Sequence, residues 1–560
     1  MPNSTSYSLS LALLGLLLPV AAGAQSATVL STLPSRHANN AVRTAPVTIT
    51  FSRAVPAAAA ANIKLFGNQQ RGQRAVAVSG GGTATISLQP AQPFSPGEKV
   101  SVTIPASVAS PPRVFGFTAA AGPALATFGA PVTLGPPPGN QPAAVVAGDV
   151  DNDGDLDLVV GEFQGSQARI CLNNGAGQFT AQPLTVSIAA FPRRMYLTDV
   201  TGDGNLDLLV TTANGSDATL ALGTGQGTFS GRQNLSNNFF PEAATADFNA
   251  DGIQDIVLAS SNLLFLPGAP AGLGSGRPSP LTLTVRALAA ADMDEDGDQD
   301  LLILTEDRLH VYLNDGTGQF SAGSSTAVNI FAQSLVVADF NNDGHMDAAC
   351  SSALTANVSL VLGTGTGGLQ PFRNVAALSR TYHVGTGDLD GDGDQDLLVT
   401  NDRGITQILL NDGQANFASA NAVLIGFESF TMAAAADLNG DNALDVYTGH
   451  QTSNPSMPHG IDVFFNQLRP QSLRGGRSSL PLALYPNPAH DQVTLQLPPA
   501  SGVVTVEVLN VLGQAVAAPT VGRPAADGTL SVALQNLAPG VYAVRVRAGD
   551  ASTTQRLVVE

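Results

Sequence analysis

The sequence predicts an all-β protein built around a seven-bladed β-propeller, with a smaller β-sandwich on either side of it. Three observations lead there. A nine-residue aspartate-rich pattern recurs seven times, with start-to-start spacings of 50, 48, 45, 47, 49 and 49 residues. Between copies the apolar residues form short runs broken by turns, with no helical period. A period near 48 of this kind suits one four-stranded blade per repeat. The 560 residues include 58 Gly and 36 Pro, and only 12% are charged, a composition of many turns and few surface helices.

From the N-terminus, residues 1–24 read as a signal peptide. Leu11 to Ala22 is an apolar run too short to span a bilayer, and Ala22-Gly23-Ala24 is a small-residue cleavage site, although no Lys or Arg precedes the run. Later stretches are too short or too polar for a transmembrane helix. Residues 25–120 read as a separate β-sandwich, with strands at 47–51, 85–88 and 100–104 divided by Pro and Gly. Residues 127–467 hold the repeats. Residues 468–481, rich in Arg, Gly and Ser, read as a linker, and 482–560 as a second β-sandwich.

Within each repeat an apolar strand precedes the acidic loop, as at 143–147 and 335–338. A second follows it, as at 156–160 and 397–400, and then a third, as at 408–410. A glycine-rich turn next leads to an aromatic, Phe179 or Phe320 for example, which is expected to pack between blades. The seventh repeat lacks that turn and a fourth strand. Residues 127–134 supply both just before the first repeat, so this segment is expected to pair with the seventh blade and close the ring.

The loops carry the chemistry. Their ligand positions are Asp149, Asp151, Asp153, Asp155 and Asp157 in the first loop, and Asp199, Thr201, Asp203, Asn205 and Asp207 in the second. The third has Asp247, Asn249, Asp251, Ile253 and Asp255; the fourth has Asp292, Asp294, Asp296, Asp298 and Asp300. The fifth has Asp339, Asn341, Asp343, His345 and Asp347; the sixth has Asp388, Asp390, Asp392, Asp394 and Asp396; the seventh has Asp437, Asn439, Asp441, Ala443 and Asp445. Side-chain oxygens stand at positions one, three, five and nine of every loop. Position seven includes Ile253 and Ala443, so a shared role there can use only the backbone carbonyl. Position six is Gly in six loops and Asn442 in the last, as a backbone at positive φ requires. Ca²⁺ takes six to eight such oxygens, which predicts up to seven ions, one per loop. Isolated Asp-Gly turns are ordinary, but seven copies with fixed oxygen positions are not. An EF-hand would need Glu at position twelve and flanking helices; here that position is Val160, Val210, Leu258, Ile303, Cys350, Val399 and Thr448. Loops one, four and six have four carboxylates at positions one, three, five and nine, so they are expected to fill first.

This pattern resembles the FG-GAP/VCBS repeats of integrin α-subunit heads and many secreted bacterial proteins. The resemblance implies a seven-bladed propeller with calcium in loops on one face. Thr201 and Asn442 depart from it, and their loops are expected to be the weakest. Thr48-Ile49-Thr50-Phe51-Ser52 and Pro96-Gly97-Glu98 resemble a bacterial Ig-like domain. The C-terminus is similar to the type A sorting domain of the Bacteroidota type IX secretion system. The matching residues are Tyr485-Pro486-Asn487-Pro488, Asn510-Val511-Leu512-Gly513-Gln514, Leu537-Ala538-Pro539-Gly540-Val541-Tyr542 and the terminal Arg556-Leu557-Val558-Val559-Glu560. That resemblance implies passage through the periplasm and across the outer membrane, with the secretion machinery as a partner.

A net charge of −19 argues against nucleic acid. The two cysteines, Cys171 and Cys350, imply no disulfide framework and are expected to be buried thiols. The seven His are scattered, and no nucleophile–base motif appears, so no catalytic residue is assigned. The function expected is calcium-dependent binding or adhesion outside the cell or on the outer-membrane surface, toward an extracellular protein or glycan. The alternatives are a polysaccharide-active enzyme or lectin accessory, and a structural spacer of the envelope.

Overall fold

The computed structural model describes residues 26–559 apart from 135–141, 164, 214–217, 236–239, 402, 426–431, 451–459, 469–482, 486, 498–503, 510–515, 517–519, 526–527, 535–536 and 549–550. The leader 1–24, nearly all of the linker and the Asn510–Gln514 motif therefore lie outside the described residues. Two compact units result, Met1–Leu468 and Arg469–Glu560.

In the first unit, the N-terminal portion is a sandwich of two antiparallel sheets. One runs in the order Val29–Leu33, Val47–Phe51, Thr85–Pro90, Val76–Ser79; the other runs Lys64–Gly67, Lys99–Ile104, Arg113–Thr118. The alternation in Val47–Phe51 sends Val47, Ile49 and Phe51 into one core with Ile86, Leu88, Val102 and Phe117.

The repeats form seven four-stranded antiparallel sheets, here called blades one to seven. In blade one, Pro142–Gly148 pairs with Asp157–Glu162, then with Gln167–Asn173 and Phe179–Ser187. The second strand of each blade is buried on both faces, which explains apolar runs such as Leu158-Val159-Val160 without polar alternation. Successive blades share apolar cores. Leu302 and Val311 of blade four meet Leu335 and Cys350 of blade five. Val358 and Leu360 of blade five meet Leu397 and Leu409 of blade six. A further core joins the last of these sheets to the first: Leu438, Tyr447 and Val463 of blade seven pack on Val145, Leu158 and Cys171 of blade one.

Blade seven takes its fourth strand from the other end of the chain. Val132–Leu134 pairs with Gly460–Phe464, and Ala124–Phe128 pairs with Asn466–Leu468. Thr133 adds a side-chain hydrogen bond to Asp462, at 2.6 Å. The aromatics that follow the glycine-rich turns sit between blades: Phe320 meets Phe248 edge-on at 5.4 Å, and Phe179 borders the core shared by blades seven and one. Cys171 and Cys350 are buried free thiols, and burial pushes the Cys171 thiol up to about 11.

The second unit has two sheets. One contains Ala483–Tyr485, Gln492–Gln496 and Thr529–Ala533; the other contains Thr520–Gly522, Val504–Leu509, Gly540–Ala548 and Ala551–Val559. Val493, Leu495, Val506, Val544 and Leu557 lie in its core.

The closing strand yields a prediction. Thr133→Pro puts a residue without N–H and with fixed φ in the middle of a three-residue strand. It is expected to cost about 2 kcal/mol in chemical unfolding of the first unit. An unchanged denaturation midpoint would show that this strand does not hold the ring.

Candidate metal loops and the face they form

Each acidic loop joins the first and second strands of its blade, so all seven loops lie on one face of the ring. Their internal bonding follows one plan. The position-one carboxylate accepts the N–H of position six, as in Asp149–Gly154 at 3.1 Å and Asp339–Gly344 at 2.8 Å. That bond folds the loop back, and position six has positive φ in every copy, including Asn442 at 74°. The position-five carboxylate accepts the N–H of position seven, at 2.9 Å in Asp153–Asp155 and also in Asp251–Ile253. Because a backbone group makes this contact, the residue type at position seven is free to vary.

Position nine is more than a candidate ligand. Asp157 is fully buried and takes the N–H of Val150 on one oxygen, at 3.0 Å, and that of Asn173 on the other, at 2.8 Å. Asp207, Asp255, Asp300, Asp347, Asp396 and Asp445 repeat the arrangement. The carboxylate thus ties its own loop to the end of the third strand. Burial pushes Asp157, Asp255 and Asp396 up to about 8, and Asp207, Asp300, Asp347 and Asp445 up to about 7, against the opposing pull of those backbone bonds.

Sequence reasoning passed over two further features. The first is Asn173, Asn314, Asn411 and Asn466, which stand at the ends of third strands. Each donates to the carbonyl of position eight in its own loop and to that of position two in the preceding blade's loop. Asn173 does so to Leu156 at 3.0 Å and Leu438 at 2.8 Å. The second is position four, which also has positive φ in all seven loops. Where it has a long polar side chain it reaches position seven of the next loop: Asn152 to Asn205 at 2.8 Å, Asn342 to Asp394 at 2.6 Å, and Glu295 to His345. The repeated Asn before the turn and the non-glycine residues at position four were the available signals.

The loops differ in what they gather. Asp149, Asp151 and Asp157 each place an oxygen within 4.8 Å of the others; so do Asp292, Asp294 and Asp300, and Asp388, Asp390 and Asp396. These are loops one, four and six. Among the described residues no such trio of carboxylates forms in loops two, three, five or seven. Asp149 and Asp292, each a member of its loop's trio, are almost fully buried, and Oδ1 of each has no hydrogen-bond partner. A buried anionic oxygen without a partner is costly, and a hard cation is the group that oxygen trios of this spacing accept. The residues present therefore fit calcium in three loops.

The Ig-like sandwich sits on this face and touches all seven loops. At loops two and three it takes the position-one carboxylate itself: Gln73 N–H donates to Asp199 at 2.9 Å, and the Thr103 hydroxyl to Asp247 at 2.7 Å. Elsewhere it binds mostly backbone carbonyls, such as that of Gly154 from Gln70 and that of Asp339 from Asn39. Beneath it lies a chamber of about 280 Å³, bordered by Asp199, Asp247, Asp292 and Asp339 and entered by Lys99. The Lys99 ammonium donates to the Val337 carbonyl at 3.2 Å, and its burial in the molecule lowers its pKa.

With this geometry in view, the comparisons with known proteins define the class. FG-GAP-like repeats match at 149–210, 199–258, 292–350 and 388–448, a bacterial Ig-like domain at 24–112, and a secretion system C-terminal sorting domain at 483–560. The chain carries FG-GAP-like repeats, an N-terminal Ig-like domain and a C-terminal sorting domain, which indicate an exported or cell-surface protein whose tail addresses the secretion machinery. No helix among the described residues is long and apolar enough to cross a membrane. No curated protein matches the chain. Among solved structures, a chain from BBS1N in complex with ARL6DN, soaked with mercury, is 13% identical over 61% of this chain and 99% of its own, with a TM-score of 0.41. An Agrocybe aegerita lectin that recognises non-reducing terminal N-acetylglucosamine is 17% identical over 70% of this chain and 93% of its own, with a TM-score of 0.37.

The position-nine bonds give a prediction. Asp207→Ala removes the acceptor of two buried N–H groups, those of Val200 and Gly223. It is expected to cost roughly 2–5 kcal/mol of stability, in chelator as well as in calcium, because loop two gathers no carboxylate trio. A loss seen only in calcium would show that Asp207 acts as a metal ligand instead.

Proposed function

We propose that the protein is a calcium-stabilised binding module displayed outside the cell. Its domains would run 1–24, 25–120, 127–467, 468–481 and 482–560, with the repeats closing as a seven-bladed ring. The observation that carries the calcium reading is the pair of buried, unpartnered oxygens of Asp149 and Asp292, two residues that each gather with two further carboxylates. Like charges about 4 Å apart repel by roughly 4 kcal/mol at an effective dielectric of 20, so an empty trio strains its loop. A cation bound there stabilises the folded state by mass action. Asp149, Asp151 and Asp157 would hold the first ion, Asp292, Asp294 and Asp300 the second, and Asp388, Asp390 and Asp396 the third. Occupancy of the remaining loops would be weaker.

The matched domains, which are of non-catalytic types, support binding over catalysis. Calcium would fix the loops while a rigid ring presents its surface to an extracellular protein or glycan.

Titration calorimetry with calcium, together with melting in calcium and in chelator, tests this. Ions are expected to fill loops one, four and six first, and chelator to lower the melting temperature. Asp390→Asn is expected to weaken one strong site and Asn439→Ala none. An unchanged melting temperature in chelator, with no binding heat, would refute the calcium reading.

A further inference from the structure

The way the Ig-like sandwich grips the loops divides them into two groups. At loops two and three it occupies carboxylate oxygens, those of Asp199 and Asp247. At loops one and four, which have carboxylate trios, it reads mostly the backbone between the trio residues, with Arg36 beside the Asp292 carboxylate as a charged contact. In loop one, Gln70 donates to the Gly154 carbonyl at 2.9 Å and Arg71 to that of Asn152 at 3.2 Å. In loop four, Arg36 donates to the Glu295 carbonyl at 2.8 Å and to its carboxylate at 2.9 Å, and Val114 N–H donates to the Gly297 carbonyl at 2.6 Å. At loop six the sandwich only lies alongside, with Asn40 beside Gly393; the N–H that donates to the Asp390 carbonyl, at 3.1 Å, is that of Ala124, in the closing segment after the sandwich. Arg36 comes within 3.6 Å of Asp292 Oδ2, while Oδ1 of the same residue is the oxygen without a partner. The sandwich and a cation thus use different atoms of the same loops.

We propose that cation occupancy of loops one and four keeps the Ig-like sandwich seated on the loop face, so that loss of the cation unseats the sandwich and opens the chamber beneath it. This rests on the calcium reading above. The carbonyls that the sandwich reads belong to positions four and six, which lie along the chain between the trio carboxylates at positions one, three and nine. When the cation leaves, the facing carboxylates separate, and the carbonyls between them turn with the loop. Hydrogen bonds of defined direction are then lost at loops one and four together. The bonds at loops two, three, five and seven sit where no carboxylate trio forms among the described residues, and unseating requires that they yield once those at loops one and four are gone. Unseating would expose Lys99 and the position-one carboxylates around the chamber.

Hydrogen exchange on the full chain, in calcium and in chelator, with calorimetry in parallel, tests the proposal. The amides of Gln73 and Val114 bond directly to loops two and four. In chelator their exchange is expected to rise about tenfold or more, while Leu158, Val159 and Val160 in blade one stay protected. A chain with Asp151→Asn, Asp294→Asn and Asp390→Asn has less repulsion to relieve and is expected to keep both amides protected in chelator. If calorimetry shows binding but chelator leaves the Gln73 and Val114 amides unchanged, the coupling is refuted and the calcium reading stands. If calorimetry shows no binding, both fail. If blade-one amides exchange as fast as those of the sandwich, the ion holds the whole fold and the specific coupling is refuted.

Discussion

One carboxylate per blade holds this architecture together. The position-nine aspartate begins the second strand, takes one N–H from its own loop and another from the end of the third strand, and is fully buried while doing so. Remove it and two buried N–H groups are left without acceptors. Keep it, and a carboxyl group must sit where desolvation penalises its charge, which is why burial raises its pKa in every blade. The loop above it is short because its two ends are fixed by that one side chain.

The rest of the face follows from what each loop adds to this shared frame. A fourth carboxylate at position three accompanies a trio of oxygens within 4.8 Å in loops one, four and six. Where position three is Asn or Thr, no such trio forms among the described residues, and in two of those loops the Ig-like sandwich has taken the position-one carboxylate instead. Loops are also tied sideways, by Asn152, Glu295 and Asn342 to position seven of the next loop, and by Asn173 and its equivalents to the preceding blade. The face behaves as a connected belt rather than as seven separate turns.

Much of this was legible in the sequence, for identifiable reasons. A strict period, and a side-chain oxygen held at four fixed positions, can be read without coordinates. The positive φ at position six follows from Gly and Asn442 alone, and the closing strand at 132–134 follows from the missing piece of the seventh repeat. What could not be read was anything that depends on which loop neighbours which sandwich strand. The docking of Arg36, Gln73 and Thr103 joins residues more than a hundred positions apart, with no pattern in the chain to announce it. Position four was missed because its residues, from Gly to Glu, share a backbone conformation and not a chemistry. The structural work of position nine was missed because a ligand and a buried hydrogen-bond acceptor look alike in sequence.

The central claim is that seven similar loops do unequal work, three gathering oxygens for a cation while others hold the neighbouring domain. Anomalous diffraction from crystals soaked in a lanthanide that substitutes for calcium tests it most directly. The account predicts strong peaks between Asp149, Asp151 and Asp157, between Asp292, Asp294 and Asp300, and between Asp388, Asp390 and Asp396, with weaker peaks or none beside Asp199 and Asp247. Equal peaks in all seven loops, or none in the three, would contradict it.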